Sequence, residues 1–265
     1  MAKRELCVSW LNWADRPDTV FTPSAEIESL PATNLADEEV NQVWGVDGLT
    51  PGNTDFHVDV ELVQDLPIGS VALIVGWRLD RPSKALETPM MATTDDIRIT
   101  VDPKAGAFGA GTVHDSGLVN CNIDPYLGYF VYHPTTTGSG AKIRVAIDAI
   151  SRATAGFWWG ARLWIGPRKD FLRGHQYGHV EKFENNEFEE PRRVPTFPMQ
   201  RIKLSEIDDL SHFEQLTNVK RQFLFTYEKN DPNKSSIIGK RESTTGYQSS
   251  FFQNYGFNMQ IRETW

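Results

Sequence analysis

Cysteine is scarce in this chain. Cys7 and Cys121 are the only two in 265 residues, too few for a disulfide framework or a four-thiolate zinc site, and they read as two buried free thiols. Basic residues are also outnumbered: 27 Lys and Arg face 35 Asp and Glu, for a formal net charge of −8 and a pI near 5.3. That balance argues against a duplex-DNA binder, because neutralising phosphates needs a clustered basic surface. Long apolar runs are missing too. The most apolar stretch, Ser70–Trp77, reads SVALIVGW and falls far short of the roughly 20 residues of a bilayer span. The basic start Met1-Ala2-Lys3-Arg4 is followed by Asn12, Asp15 and Arg16, which break the apolar run of a signal peptide. The expectation is a soluble chain made in a cytoplasm, with no targeting segment.

What is present suffices for a core: 40% hydrophobic and 23% charged residues, with 15 Phe, 8 Trp and 7 Tyr. From Asp55 to Leu62, Phe56, Val58, Val60 and Leu62 alternate with Asp55, His57, Asp59 and Glu61, the period of a half-buried strand. Ser70–Leu79 is nearly all apolar, as a strand covered on both faces would be. Asp96–Val101, Tyr126–His133, Lys142–Ile150 and Phe157–Ile165 are rich in β-branched or aromatic residues. Gly and Pro separate them, at Lys104–Gly111 and Pro134–Gly140. Short strands without amphipathic helices between them predict a mainly β chain, a β-sandwich or jelly roll, over residues 1–166.

Residues 167–265 read as a C-terminal extension. Pro191, Pro195 and Pro198 limit regular structure in the charged stretch 167–201. Ser205-Glu206-Ile207-Asp208 resembles a capping box, and Leu204, Ile207, Leu210, Phe213 and Leu216 form an apolar stripe, predicting one short helix. About two strands follow, near Arg221–Glu228 and Gly256–Arg262. The extension is expected to pack back on the sandwich, with 167–201 and 229–250 as weakly ordered interaction arms. No internal repeat is visible.

Chemical motifs are few. His175 and His179 have zinc-helix spacing, but Gln176 replaces the general base, and Gly174 and Gly178 disfavour a helix. The glycines of Gly106–Gly111 lack the Lys of a phosphate loop. The acidic residues of Asp55–Glu61 fit a solvated strand face, and Asp95-Asp96 a strand entry. There is no Gly-x-Ser-x-Gly elbow. No catalytic residue, cofactor or metal ligand is expected, and the chain is read as not an enzyme. Phe157–Ile165 is more informative. Alternation puts Phe157, Trp159, Ala161, Leu163 and Ile165 in the core, and Trp158, Arg162 and Trp164 on the other face. Two tryptophans there need a cover: the C-terminal segment, a partner subunit or a sugar, in that order of expectation. Trp158, Arg162 and Trp164 are therefore the candidate interface or glycan-stacking residues.

Ser29-Leu30-Pro31-Ala32-Thr33-Asn34-Leu35, Val43-Trp44, the strand ending near Leu62 and Val71–Val75 occur in an order that resembles discoidin-like domains of bacteriophage tail proteins. Ala161–Gly166 is similar to a later strand of those domains. Arg221–Phe225, Asp231-Pro232 and the final Tyr255–Glu263 are similar to their closing pattern. Val75-Gly76-Trp77-Arg78 departs from it, standing where an Asn-containing turn is usual. The resemblance implies a galactose-binding-like jelly roll. It also implies a structural component of a phage tail tip or baseplate, oligomeric within the virion and partnered by other tail proteins. The alternative is a carbohydrate-binding module that attaches to a cell-surface glycan, through Trp158 and Trp164 or Tyr126 and Tyr129. Neither reading involves nucleic acid or a membrane span.

Overall fold

Alternating hydrophobicity at Asp55–Leu62 demands a covered and an open face, and the fold supplies both. The computed structural model describes residues 6–37, 42–75, 91–121, 123, 128–136, 138–171, 183–185, 191–193, 196–203, 215–217, 221–242, 248–249 and 254–263. It contains two units, residues 12–167 and residues 1–11 with 168–265. In chain order the first eleven strands are β1 (Leu6–Ser9), β2 (Val20–Pro23), β3 (Trp44–Asp47), β4 (Asp55–Ile68), β5 (Ser70–Val75), β6 (Asp96–Asp102), β7 (His114–Asp115), β8 (Val119–Asn120), β9 (Tyr129–Tyr132), β10 (Gly138–Asp148) and β11 (Phe157–Gly166). The others are β12 (Lys169–Phe171), β13 (Phe183–Asn185), β14 (Pro191–Arg193), β15 (Thr196–Lys203), β16 (Phe223–Thr226), β17 (Ser236–Arg241), β18 (Gln248–Ser249) and β19 (Asn254–Glu263).

The unit spanning 12–167 is an antiparallel sandwich. One sheet runs β2-β4-β10-β6-β7, with β8 also on β6, and the other runs β3-β11-β5-β9. Strands β3, β5, β9 and β11 lie in the four-stranded sheet, while the intervening β4, β6 and β10 lie in the six-stranded one. The chain thus crosses between sheets at nearly every step, as in a jelly roll. Phe56, Val58 and Val60 of β4 are in register with Ile147, Val145 and Ile143 of β10, and those with Ile97, Ile99 and Val101 of β6. All nine are buried. Opposite them stand Trp44 and Trp158, whose rings lie 5.6 and 5.0 Å from that of Phe56 and 5.2 Å from each other. Edge-to-face packing of this kind adds about 0.5–1.5 kcal/mol per pair to the burial of the rings.

Strand β11 departs from the expected alternation. Its pairing with β5 shifts between Gly160 and Arg162, and this irregularity offsets the two halves of the strand by one residue. Before it, Trp158 is the core residue and Phe157 is 44% exposed; after it, Ala161, Leu163 and Ile165 are buried as expected.

The second unit has its own core of Leu6, Val8, Phe223, Phe225, Tyr227, Ile237, Met259 and Ile261. Its main sheet runs β12-β1-β16-β17-β19-β15, with β18 on β19, and β13 pairs with β14. Three expectations change here. The expected boundary of 1–166 assigned the N-terminus to the sandwich, but Leu6–Ser9 pairs with Lys169–Phe171 and Phe223–Thr226. Four residues without alternation carry no signal of which sheet they join. The extension also holds more strands than two, because its prolines sit where strands tolerate them. Pro191 opens β14, and Pro198 lies on β15, an end strand of the sheet order. Finally, 229–250 is not wholly an arm: Ser236–Arg241 is a strand between β16 and β19, with Ser236–Gly239 buried. A six-residue strand was hidden by the polar average of its surroundings. The helix expected from Ser205 lies almost wholly outside the described residues. One short helix, α1 (Pro232–Ser235), begins with Pro at its first turn.

Gly239 provides a check on this unit. A Cβ there would collide with the Arg262 carbonyl oxygen and stand 2.8 Å from Ile261 Cγ2. Gly239→Ala is expected to cost about 1–3 kcal/mol, read as a lower urea midpoint. An unchanged midpoint would contradict the β17–β19 register.

Candidate functional site

The candidate interface or stacking residues, Trp158, Arg162 and Trp164, are all buried. Trp158 is fully buried, and its Nε1–H donates to Met91 Sδ at 3.0 Å. The Arg162 side chain is 1% exposed; its Nη2 pairs with Asp15 Oδ2 at 2.8 Å, and its Nη1 donates to the Ala36 carbonyl at 2.9 Å. Trp164, in register with Ala72 on β5, is buried as well. The face was expected to be covered by the C-terminal segment, a partner or a sugar. Around Arg162 the cover comes from two 3-10 turns of the same unit, Trp13–Asp15 and Ala32–Ala36. A guanidinium cannot be buried without fixed acceptors, and Asp15 and Ala36 provide them. These residues form no open stacking platform.

Asn12 holds that cover in place. Its side-chain amide acts like a residue of an adjoining strand, accepting from the Ile165 N–H at 2.8 Å and donating to the Leu163 carbonyl at 2.9 Å. It also caps its own turn, accepting from Ala14 N at 3.2 Å, and donates to Asp15 Oδ1 at 2.7 Å. Sequence reasoning treated Asn12 and Asp15 only as breaks in an apolar run. Their partners lie some 150 residues away, so no local pattern could reveal them.

The acidic face of β4 is ion-paired. Arg144 Nε and Nη2 grip Asp59 at 2.7 and 2.8 Å, and Lys104 Nζ meets Glu61 at 2.9 Å. Asp95 is a loop staple: its carboxylate accepts from Ala92 N, Ser151 N and Ser151 Oγ. Among the described residues, no three His, Cys, Asp or Glu side chains are placed to hold a metal ion. His175, His179, Tyr126 and Gly76-Trp77-Arg78 lie outside the described residues, and Tyr129 is buried. Cys7 and Cys121 are buried thiols, and burial pushes the Cys7 thiol up to about 12. Among the described residues, no helix is long and apolar enough to cross a membrane.

Among the described residues, two aromatic rings are left partly open to solvent beside cations. Phe157 lies against Arg152, 5.0 Å from guanidinium to ring centre, and Arg152 Nε donates to the Phe157 carbonyl. Phe108 is half-buried in the glycine-rich segment Lys104–Gly111, which lies against the six-stranded sheet. Lys142 Nζ and Arg144 Cζ stand 5.7 and 5.6 Å from its ring centre, within reach of a cation–π attraction. Lys142 Nζ also donates to the Gly106 carbonyl, and Gly109 N donates to Asp102 Oδ2 at 2.7 Å. Gly106, Gly109 and Gly111 have φ of 93°, 81° and 94°, a conformation that residues with a Cβ rarely adopt.

The titrating groups predict the pH dependence. Burial, and for His57 the neighbouring Arg144, hold His57 and His114 below their ordinary 6.5. A histidine with a depressed folded pKa contributes stability that is present above its unfolded value and lost as pH falls through the folded one. Thermal stability is therefore expected to decline once pH drops below about 6.5, and His57→Gln with His114→Gln should flatten that decline. Asp115 acts lower. Hydrogen bonds from Arg98 and Gly117 bring it from 3.8 to about 2, so its contribution is lost only in that more acidic range. An unchanged slope in the double variant between pH 7 and 5 would refute the histidine assignment.

No protein-family model matches the chain, and no curated protein matches it. Solved structures do show similarity. The family 32 CBM of C. perfringens NanJ, in complex with galactose, is 14% identical, covering 61% of this chain and 99% of that one, with a TM-score of 0.41. The lectin domain of lectinolysin, complexed with Lewis b antigen, is 13% identical over 58% of this chain and 96% of its own, with a TM-score of 0.42. A fucose-binding module of Streptococcus pneumoniae is 13% identical over 59% and 94%, with a TM-score of 0.39. The fold class of this chain rests on its own strand pairings, a mainly β protein with an antiparallel jelly-roll sandwich and a second β unit.

Proposed function

We propose that the protein is a non-catalytic binding module whose ligand is carbohydrate displayed on a cell surface. The observation that supports this reading is the pair of partly exposed rings, Phe108 and Phe157, each fixed on the sandwich by cationic side chains. A rigid ring beside hydrogen-bonding groups suits a sugar, which offers an apolar C–H face and a rim of hydroxyls. Galactose, fucose and Lewis-type glycans, named with the similar structures, are the first ligands to try. A glycan array probed with the full chain tests the reading. Binding above background, competed by the free sugar, supports it, and an array blank at high protein concentration refutes it.

A second reading follows the resemblance of the short motifs to phage tail proteins. In it the chain is a tail-tip or baseplate component, oligomeric within a virion and held by neighbouring tail proteins. The observation that favours it is the second β unit, with its own core, which a free-standing sugar-binding sandwich does not need. Mass spectrometry of purified virions tests it: the chain should be present in a fixed copy ratio to known tail proteins. Its absence from intact particles would end this reading.

A further inference from the structure

We propose that the glycine-rich strap Lys104–Gly111 and the sheet beneath it form a binding site for a neutral hexose, with Phe108 as the stacking surface. This rests on the carbohydrate reading above and locates its site. Phe108 is preferred to Phe157 for what surrounds each ring. The Arg152 guanidinium beside Phe157 is itself buried and its Nε is committed to a backbone carbonyl. Lys142 and Arg144 lie against the Phe108 ring; Arg144 is paired with Asp59, the adjoining Gly109 amide bonds Asp102, and Lys104 of the same strap bonds Asp65 and Glu61. These come from β4, β6, β10 and the strap, so the site is bounded by the sheet on one side and a glycine-rich segment on the other.

Asp102 is the second observation. It is fully buried, and while its Oδ2 accepts from Gly109, its Oδ1 has no hydrogen-bond partner. A buried carboxylate oxygen without a donor is costly, and a sugar hydroxyl would supply one. The segment covering it turns on Gly106, Gly109 and Gly111, all in the left-handed region, and is tied to the sheet mainly by Lys104, Lys142 and the Gly109 amide. A shift of the strap admits a hydroxyl to Asp102 without disturbing the core. The charges select a neutral ring. Arg144 is paired with Asp59 and Lys104 with Glu61, and the further cation at the ring, Lys142, is outweighed by Asp65 and Asp102 on the same sheet, so the local charge does not favour a uronate or sialate carboxylate. Hydroxyls can use the remaining lone pairs and N–H groups in both directions.

Calorimetric or ligand-observed NMR titration of the full chain decides the matter, with galactose, fucose, N-acetylglucosamine, galacturonate and sialic acid as probes. A neutral sugar should bind more tightly than either acid. Phe108→Ala should weaken it by about tenfold or more, equivalent to one lost stacking contact of roughly 1.4 kcal/mol. Phe108→Leu, which keeps apolar cover on the strap, should lose as much with an unchanged melting temperature, and Leu118→Ala, at an exposed apolar residue outside the site, should bind normally. Neutral-sugar binding that survives Phe108→Leu, that is abolished by Phe157→Ala, or that is weaker than uronate binding overturns this site while leaving the carbohydrate reading intact. No binding of any probe by the native chain overturns the site, and a blank glycan array then removes the reading as well.

Discussion

Trp158→Ala is expected to destabilise the whole sandwich unit, with no effect confined to a surface. The indole fills the centre of the Trp44–Phe56–Trp158 cluster and is fully buried. Removing it deletes the transfer free energy of a large ring and leaves a cavity between two sheets that cannot close. The expected loss is about 3–5 kcal/mol. For a unit of this size that corresponds to roughly 6–20 °C in melting temperature. Trp158→Phe should cost less, since most of the volume returns and only the Nε1–H···Sδ contact with Met91 and part of the edge-to-face packing are lost. Differential scanning calorimetry checks both variants. If Trp158 were instead a stacking platform, the alanine variant would keep its melting temperature and lose only ligand affinity. That outcome would reverse the assignment of Trp158 to the core.

The second large effect concerns the Asp15–Arg162 pair. Asp15→Ala removes the Asp15 carboxylate from the buried Arg162 guanidinium while its bond to the Ala36 carbonyl remains. Breaking one side of a buried pair costs about 3–5 kcal/mol. The lower part of that range is expected, because the Asp15 side chain retains 24% exposure. Adding Arg162→Met should recover stability, since a buried apolar chain of similar length needs no counter-charge. The coupling energy of the double-mutant cycle should then exceed about 1 kcal/mol. A comparable cycle on the exposed Arg98–Asp115 pair, bonded at 2.9 and 2.5 Å, should show far less coupling, because water screens both groups. Equal coupling in the two cycles would mean that the turns at Trp13–Asp15 and Ala32–Ala36 do not seal Arg162 from solvent. The two predictions are linked, because β11 carries Trp158 towards the core and Arg162 towards the covering turns.

Much of the sandwich was legible because its signals are local. The strict alternation of Asp55–Leu62 follows from one covered and one wet face, and the structure extends that strand to Ile68. The unbroken apolar run from Ser70 corresponds to a strand whose described residues are all buried. Asp96, Lys142 and Phe157 each lie within a few residues of an observed strand start. The candidate site was not legible in the same way. Alternation predicted that Trp158, Arg162 and Trp164 share a face, but one irregularity between Gly160 and Arg162 separates Trp158 from the others, and no composition rule marks where a ladder will slip.

By itself the sequence determined the fold class, the main strands of the sandwich and the change in character near Gly166, since each depends on residues within a few positions of one another. Only the tertiary structure decided the rest. It put Leu6–Ser9 in the second unit's sheet, made Ser236–Arg241 an inner strand, and accommodated Pro198 on an end strand. It also brought Asn12 to Ile165 and Phe108 to Lys142 and Arg144. All of these are pairings between distant segments. Each is selected by which unpaired backbone edge, buried charge or exposed ring remains to be satisfied once the local strands have formed, and that remainder belongs to the whole fold and to no single stretch of chain.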